Sequence, residues 1–311
     1  MTAILQAEPA VLQARPAFEG SNIRAWMGFK HFIYLLERAV LQWLLDQGTG
    51  VRDLFIHHGL GVEIVDCSVQ FPAKLELDEQ VSAYVVAGHD NRLTVRLCVV
   101  RDGREICALH GKVTVALVRE RAAEVHRAAP RPLAALEVAD LADAGTVARP
   151  DHRRLTPGDT VESTVAGDPA AFLWSWPARY TFCHYSDRVQ HSGFVRALEE
   201  VVDRFLADRG ISVGRLLRER SWVPVVSRAR VQMITAAHME ETVHTVFRVT
   251  HVLRETLFDA RMDCYVRRGP ELAHVATARI LHGYFPTSGE NAGLPVKLDD
   301  TVLRALTGAR P

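Results

Sequence analysis

A chain of 311 residues, 48% of them hydrophobic, carries enough apolar material for about two packed domains, which excludes disorder for its bulk. Its 37 basic and 37 acidic residues cancel, so no global field draws it to nucleic acid or to an anionic membrane, and any basic docking surface must be local. No apolar run reaches the roughly 18 residues that span a bilayer, and Glu8 with no basic lead argues against a signal peptide, so a soluble cytoplasmic protein is expected.

After an N-terminal arm with Pro9 and Pro16, residues 32–47 place Phe32, Leu35, Leu36, Ala39, Val40, Trp43 and Leu44 at helical spacing, and Gly48 closes the helix. Four β-rich runs follow at Gly61–Phe71, Gln80–Ala87, Arg92–Arg101 and Glu105–Val118, broken by Asp-Asn and Asp-Gly turns. Residues 120–177 are Ala/Glu/Arg-rich and then Pro-rich, as a surface linker would be, and Gly158–Ser175 reads as an extra strand or a lid. A second apolar helix carries Phe194, Leu198, Val201, Val202, Phe205 and Leu206 and ends at Gly210. Four more β runs close the chain, at Val223–Ile234, Glu241–Leu253, Leu257–Arg267 and Glu271–Phe285.

The two halves are related. Thirteen of the fifty positions from Phe32 to Val81 carry the same residue 162 places later without a gap, where about three would match by chance at a background rate of roughly 6%. A period this long is too large for a solenoid and marks a duplicated domain. The expected organisation is α+β: an N-terminal unit over 1–119, a linker over 120–177 and a C-terminal unit over 178–311, each an antiparallel sheet wrapped around a long central helix. That is a tandem (double) hotdog. A fused pair supplies both halves of a dimer, so a monomer or a homodimer is expected.

The copies differ where chemistry is concentrated. Directly before the second helix stand His184, Asp187, Gln190, His191, Ser192, Gly193 and Phe194, whereas Ala25 and Phe29 occupy the positions equivalent to Asp187 and His191. A fused pair can lose one active site while the lost copy keeps its packing role. Asp187 could activate water or attack a carbonyl itself, with His191 or Gln190 orienting the water or polarising the carbonyl. Free backbone N–H groups around Ser192–Phe194 could meet a developing oxyanion, and Gly193 would allow close approach of substrate. Glu199 recurs as Glu37, which suits either an acid on the helix or a structural pair across a twofold axis. Cys183 reads as a small core residue, and the five cysteines, odd in number and without a CxxC pair, suit reduced thiols. No phosphate loop, HExxH or Gly-x-Ser-x-Gly is present, so no metal and no cofactor is expected.

The Asp-x-x-Gln-His segment followed by a helix resembles that of hotdog thioesterases, in particular the acyl-ACP thioesterase and 4-hydroxybenzoyl-CoA thioesterase families. The family's Asn two residues before the His is Val189 here, and its Asn-Asn pair is Gly193-Phe194. The resemblance implies hydrolysis of an acyl or polyketide thioester carried by an acyl carrier protein or CoA, with Asp187, His191, Gln190 and Glu199 as the catalytic candidates and Ser192, Gly193 and Phe194 against the substrate. Arg228 and Arg230, in an arginine-rich stretch from Arg209, would receive phosphates or the acidic surface of a carrier. A dehydratase, isomerase or cyclase of the same fold, or an acyl-binding protein without catalysis, is the alternative.

Overall fold

The computed structural model describes residues 10–23, 26–145, 148–183, 185–287 and 294–308; Ala25 and His184 lie outside them. In chain order the elements are β1 (Leu12–Ala14), α1 (Phe29–Asp46), α2 (Val51–Asp53), β2 (Leu60–Gln70), β3 (Val81–Ala87), β4 (Arg92–Arg101) and β5 (Arg104–Arg119). The middle of the chain holds β6 (Glu137–Val138), β7 (Arg153–Arg154), α3 (Val161–Val165) and β8 (Phe172–Pro177). Then come α4 (His191–Asp208), α5 (Val213–Arg220), β9 (Trp222–Met233), β10 (Thr242–Leu253), β11 (Leu257–Arg268), β12 (Glu271–Pro286) and α6 (Asp300–Thr307).

One sheet runs through the molecule in the order β1-β3-β4-β5-β2-β9-β12-β11-β10-β8, with β6 on β5 and β7 on β12 as side branches. Read from either edge to the middle, the order of elements is the same. The join is the antiparallel pairing of β2 with β9, in which Ser68 faces Arg230. These two residues are 162 apart, so a pseudo-twofold axis passes through that pair. The segment left open in the sequence, Gly158–Ser175, holds a short helix and then the start of a strand. Thr160 caps α3 by accepting from the Ser163 N–H in a reciprocal capping box, and the Phe172–Pro177 segment pairs with β10 as the outer strand.

Each long helix lies on its own half of the sheet and the two touch each other. Leu36, Val40 and Leu44 of α1, and Phe194, Leu198, Val201 and Phe205 of α4, are fully buried, each worth about 1.5–3 kcal/mol in apolar burial. Gly48 (φ +95°) and Gly210 (φ +72°) end the helices in the left-handed region, where a side chain would be strained. At Gly111 a Cβ would come within 2.7 Å of Leu36 Cδ1, so β5 can approach α1 only without a side chain. Among the described residues no helix is long and apolar enough to cross a membrane.

Candidate active site

Residues 185–190 form a loop stitched to its surroundings by backbone. Val189 N–H donates to the Ala237 carbonyl at 2.8 Å, Met239 N–H to the Asp187 carbonyl at 2.6 Å, and Gln190 N–H to the Phe182 carbonyl at 3.1 Å. Tyr185 adopts φ +56°, an uncommon conformation for a bulky residue, and its ring lies 5.2 Å from that of Phe55. Phe55 belongs to a π-helical turn over Leu54–His58, whereas the corresponding residues in α5 are regularly α-helical.

A buried charge clamp ties this loop to the first half of the chain. Arg188, 4% exposed, donates from Nε to Glu63 Oε1 at 2.8 Å and from Nη2 to Glu120 Oε1 at 2.5 Å, and both acids are equally enclosed. Gly61 is required beside it, because a Cβ there would run into the Glu120 carboxylate and the Arg188 guanidinium. Burial pushes both acids up, Glu63 to about 7, with Arg188 opposing. This clamp is invisible in the motif itself, since its partners lie 125 and 68 residues away.

Asp187 is partly exposed, its carboxylate paired with Arg121 and 3.4 Å from His238 Nδ1. Partial burial pushes that carboxyl up, but the Arg121 hydrogen bond, His238 and the Arg121 charge together outweigh it and hold it below the usual range. His191 is the first residue of α4 and is buried. Desolvation drives its pKa down to about 4 against a small opposing effect of the Val231 backbone, so the imidazole is neutral at pH 7. Neither ring nitrogen has a well-formed hydrogen bond among the described residues, nor do the buried Ser192 Oγ and Arg196 Nε. Four orphaned polar atoms on two turns of one helix are unusual in a packed interior.

The first-turn backbone is partly spent. The N–H groups of Gly193 and Phe194 both turn to the Gln190 carbonyl, at 2.9 and 3.3 Å, which leaves those of His191 and Ser192 as the donors without an intrahelical acceptor. Phe194 is fully buried in the core, and the space beside Gly193 is taken by Val189 and Phe182, 3.1 and 3.2 Å from where a Cβ would stand. Cys183 stays a thiol, pushed up to about 11 mainly by burial.

The two helix acids have opposite surroundings. Glu199 is partly exposed and paired with Lys30 Nζ at 2.7 Å. The pseudo-twofold operation carries that pair onto Ser192 and Glu37. Serine supplies no charge, and Glu37 has no hydrogen bond or ion pair among the described residues. The residue is half-buried, and burial pushes its carboxyl up to about 7, helped by Glu63 and opposed by Arg196. The repeat relation thus sets Glu37, rather than Glu199, against the α4 position equivalent to Lys30, and among α4 side chains the Arg196 guanidinium is the one that acts on its carboxyl. The signal was present in the sequence, because Lys30 and Ser192 are also 162 apart, but reading it requires knowing that each helix faces the other across the axis.

The six arginines from Arg209 to Arg230 do not gather in one place. Arg209 is buried and donates to the Gly308 and Ala170 carbonyls. Arg215 and Arg220 lie on α5 with Glu219 and Asp299, and Arg228 and Arg230 lie on β9, on the sheet face away from both helices. No group of three or more metal-ligating side chains is arranged for a cation among the described residues.

No family model and no curated protein matches the sequence. Solved structures do match. A protein described as an oleoyl thioesterase from Lactobacillus plantarum aligns over 88% of this chain and 96% of its own, with TM-score 0.58 and 11% identity. The 12:0-ACP thioesterase from Umbellularia californica aligns over 88% and 93% (TM-score 0.54, 10% identity), and an acyl-ACP thioesterase from Bacteroides thetaiotaomicron over 87% and 96% (0.51, 10%). At such identity these likenesses establish the fold: the chain has the hotdog fold of these thioesterases over most of its length.

Proposed function

We propose that this chain is a tandem hotdog that hydrolyses an acyl thioester, carried by an acyl carrier protein or CoA, at one site where the first turn of α4 meets Glu37 of the first unit. The observation that carries the reading is a group of poorly partnered polar side chains: Glu37, without an ion pair among the described residues and with its carboxyl pushed up to about 7, and on α4 the buried neutral imidazole of His191 and the hydroxyl of Ser192. The likeness to thioesterases over both halves supports it.

In the proposed reaction Glu37, as carboxylate, takes a proton from water while the water oxygen attacks the thioester carbonyl carbon. The oxyanion is met by the N–H groups of His191 and Ser192 at the positive end of α4. Collapse breaks the C–S bond, the thiolate leaves and is protonated, and a free carboxylic acid remains. His191 and Gln190 hold the water. A base is most effective when its pKa lies near the working pH, which favours Glu37 over Asp187, whose carboxyl is held ionised by Arg121 and His238. Glu199, tied to Lys30, takes part in no step.

The test is a panel of acyl-CoA and acyl-carrier thioesters with free thiol followed colorimetrically and the acyl product by mass spectrometry. Thiol release with a product heavier by one water oxygen is expected. Loss of water from the acyl chain with the thioester intact would instead assign a dehydratase.

A further inference from the structure

The outer face of the sheet, opposite the helices, carries a ladder of arginines that the proposed chemistry does not use. Cross-strand register places Arg230, Arg279, Arg261 and Arg248 directly beside one another on β9, β12, β11 and β10. On the other side of the axis the same row continues through Ser68 to Lys112. The next row adds Arg228, opposite Gln70. Strands about 4.8 Å apart make this row, from β5 to β10, about 24 Å long.

Like charges directly opposite each other destabilise a sheet, so the ladder is a cost to folding that the chain only partly offsets. Asp66 binds Arg230 at 2.9 and 2.5 Å, Asp263 lies 3.0 Å from Arg261, and Asp259 3.1 Å from Arg279. Six cations thus face three carboxylates, in a protein whose total charge is zero. Arg228 is exposed, and with Arg230, Arg279, Ser68 and Gln70 it lines an open groove of about 350 Å³. The chain does cover neighbouring parts of this face: Val165 and Leu155 pack over Val246, Tyr265 and Leu272. Arg248, at the β10 end, shares that cover, donating to the Val165 carbonyl at 3.4 Å, whereas Arg228, Arg279 and Lys112 are exposed.

We infer that this ladder is a docking surface for an acidic helix of a partner protein, laid across the strands, and that the partner is the acyl carrier delivering the thioester. The inference rests on the proposed hydrolase reading for the nature of the partner. The open part of the row, from β5 to β11, is about 19 Å long, which a helix of about 13 residues matches at 1.5 Å per residue, and such a helix offers separate carboxylates to Lys112, Arg228 and Arg279. A continuous phosphate backbone would be repelled by Asp66, Asp259 and Asp263 and finds no attraction from the overall charge. A second copy of this chain would bring the same cations against themselves. The surface also lies near the site, since Ser68 is only five residues along β2 from Glu63, about 16 Å.

Fluorescence anisotropy of a labelled bacterial holo-acyl carrier protein, titrated with the full-length protein, tests this. We expect saturable binding that weakens with salt and weakens roughly tenfold or more in Arg279→Glu and Lys112→Glu, while both variants hydrolyse acyl-CoA at the parent rate. Binding that ignores the charge reversals overturns the inference, as does loss of acyl-CoA hydrolysis in parallel with carrier binding, or a short DNA duplex bound more tightly than the carrier. Ladder-dependent carrier binding by a protein that hydrolyses no thioester would sustain the surface and retire the hydrolase reading.

Discussion

Glu37 and Glu199 are the same residue at the same place on two related helices, and a single neighbour separates their chemistry. Lys30 supplies an ammonium to Glu199, whereas Ser192 supplies none to Glu37. We expect Glu199→Gln to leave kcat within about twofold and Glu37→Gln to lower it by about a hundredfold or more, as for removal of a general base; Asp187→Asn should cost less than Glu37→Gln. Stability should move the other way. A carboxyl whose folded pKa is raised to about 7 contributes stability fully below its unfolded pKa, and that contribution is lost as pH rises through 7. Glu37→Gln should therefore raise the unfolding free energy at pH 8, by on the order of 1–3 kcal/mol, and flatten its decline between pH 5 and 8 in urea titrations.

The elements were the most legible level. The strand expected at Arg92–Arg101 is β4 with the same ends, because alternation of Leu93, Val95 and Leu97 with polar residues is a local property of the chain. Both helix ends were equally plain, since glycine at positions 48 and 210 has a local cause. The clamp at Arg188 was not legible, because nothing in a periodicity links Arg188 to Glu63 and Glu120 in β2 and just after β5. Its consequence is strong. Arg188→Met leaves two buried carboxylates without a counter-charge and should cost about 3–5 kcal/mol, read as a fall in denaturation midpoint. Adding Glu63→Gln and Glu120→Gln should restore much of that loss, which separates a charge effect from damaged packing.

On the scale of the whole molecule, the 162-residue period reports that the chain repeats but not how the repeats meet. The meeting is the β2–β9 pairing, which makes one continuous sheet, and the proposed site takes its acid from one half and its helix start from the other. The first copy lacks the Asp and His positions but is no bystander, because it supplies Glu63 to the Arg188 clamp and, in the proposed reaction, Glu37. Separation at residue 150 would leave β2 and β9 as long unpaired edges, so the two halves expressed alone should associate or aggregate, visible by size-exclusion chromatography. The most direct test of the composite site is the pH dependence of kcat/KM for thioester hydrolysis by the full chain and by Glu37→Gln. The parent should show activity rising through a single ionisation near pH 7 that disappears in the variant; a profile unchanged by Glu37→Gln, or a rise governed by Asp187 instead, would contradict the account.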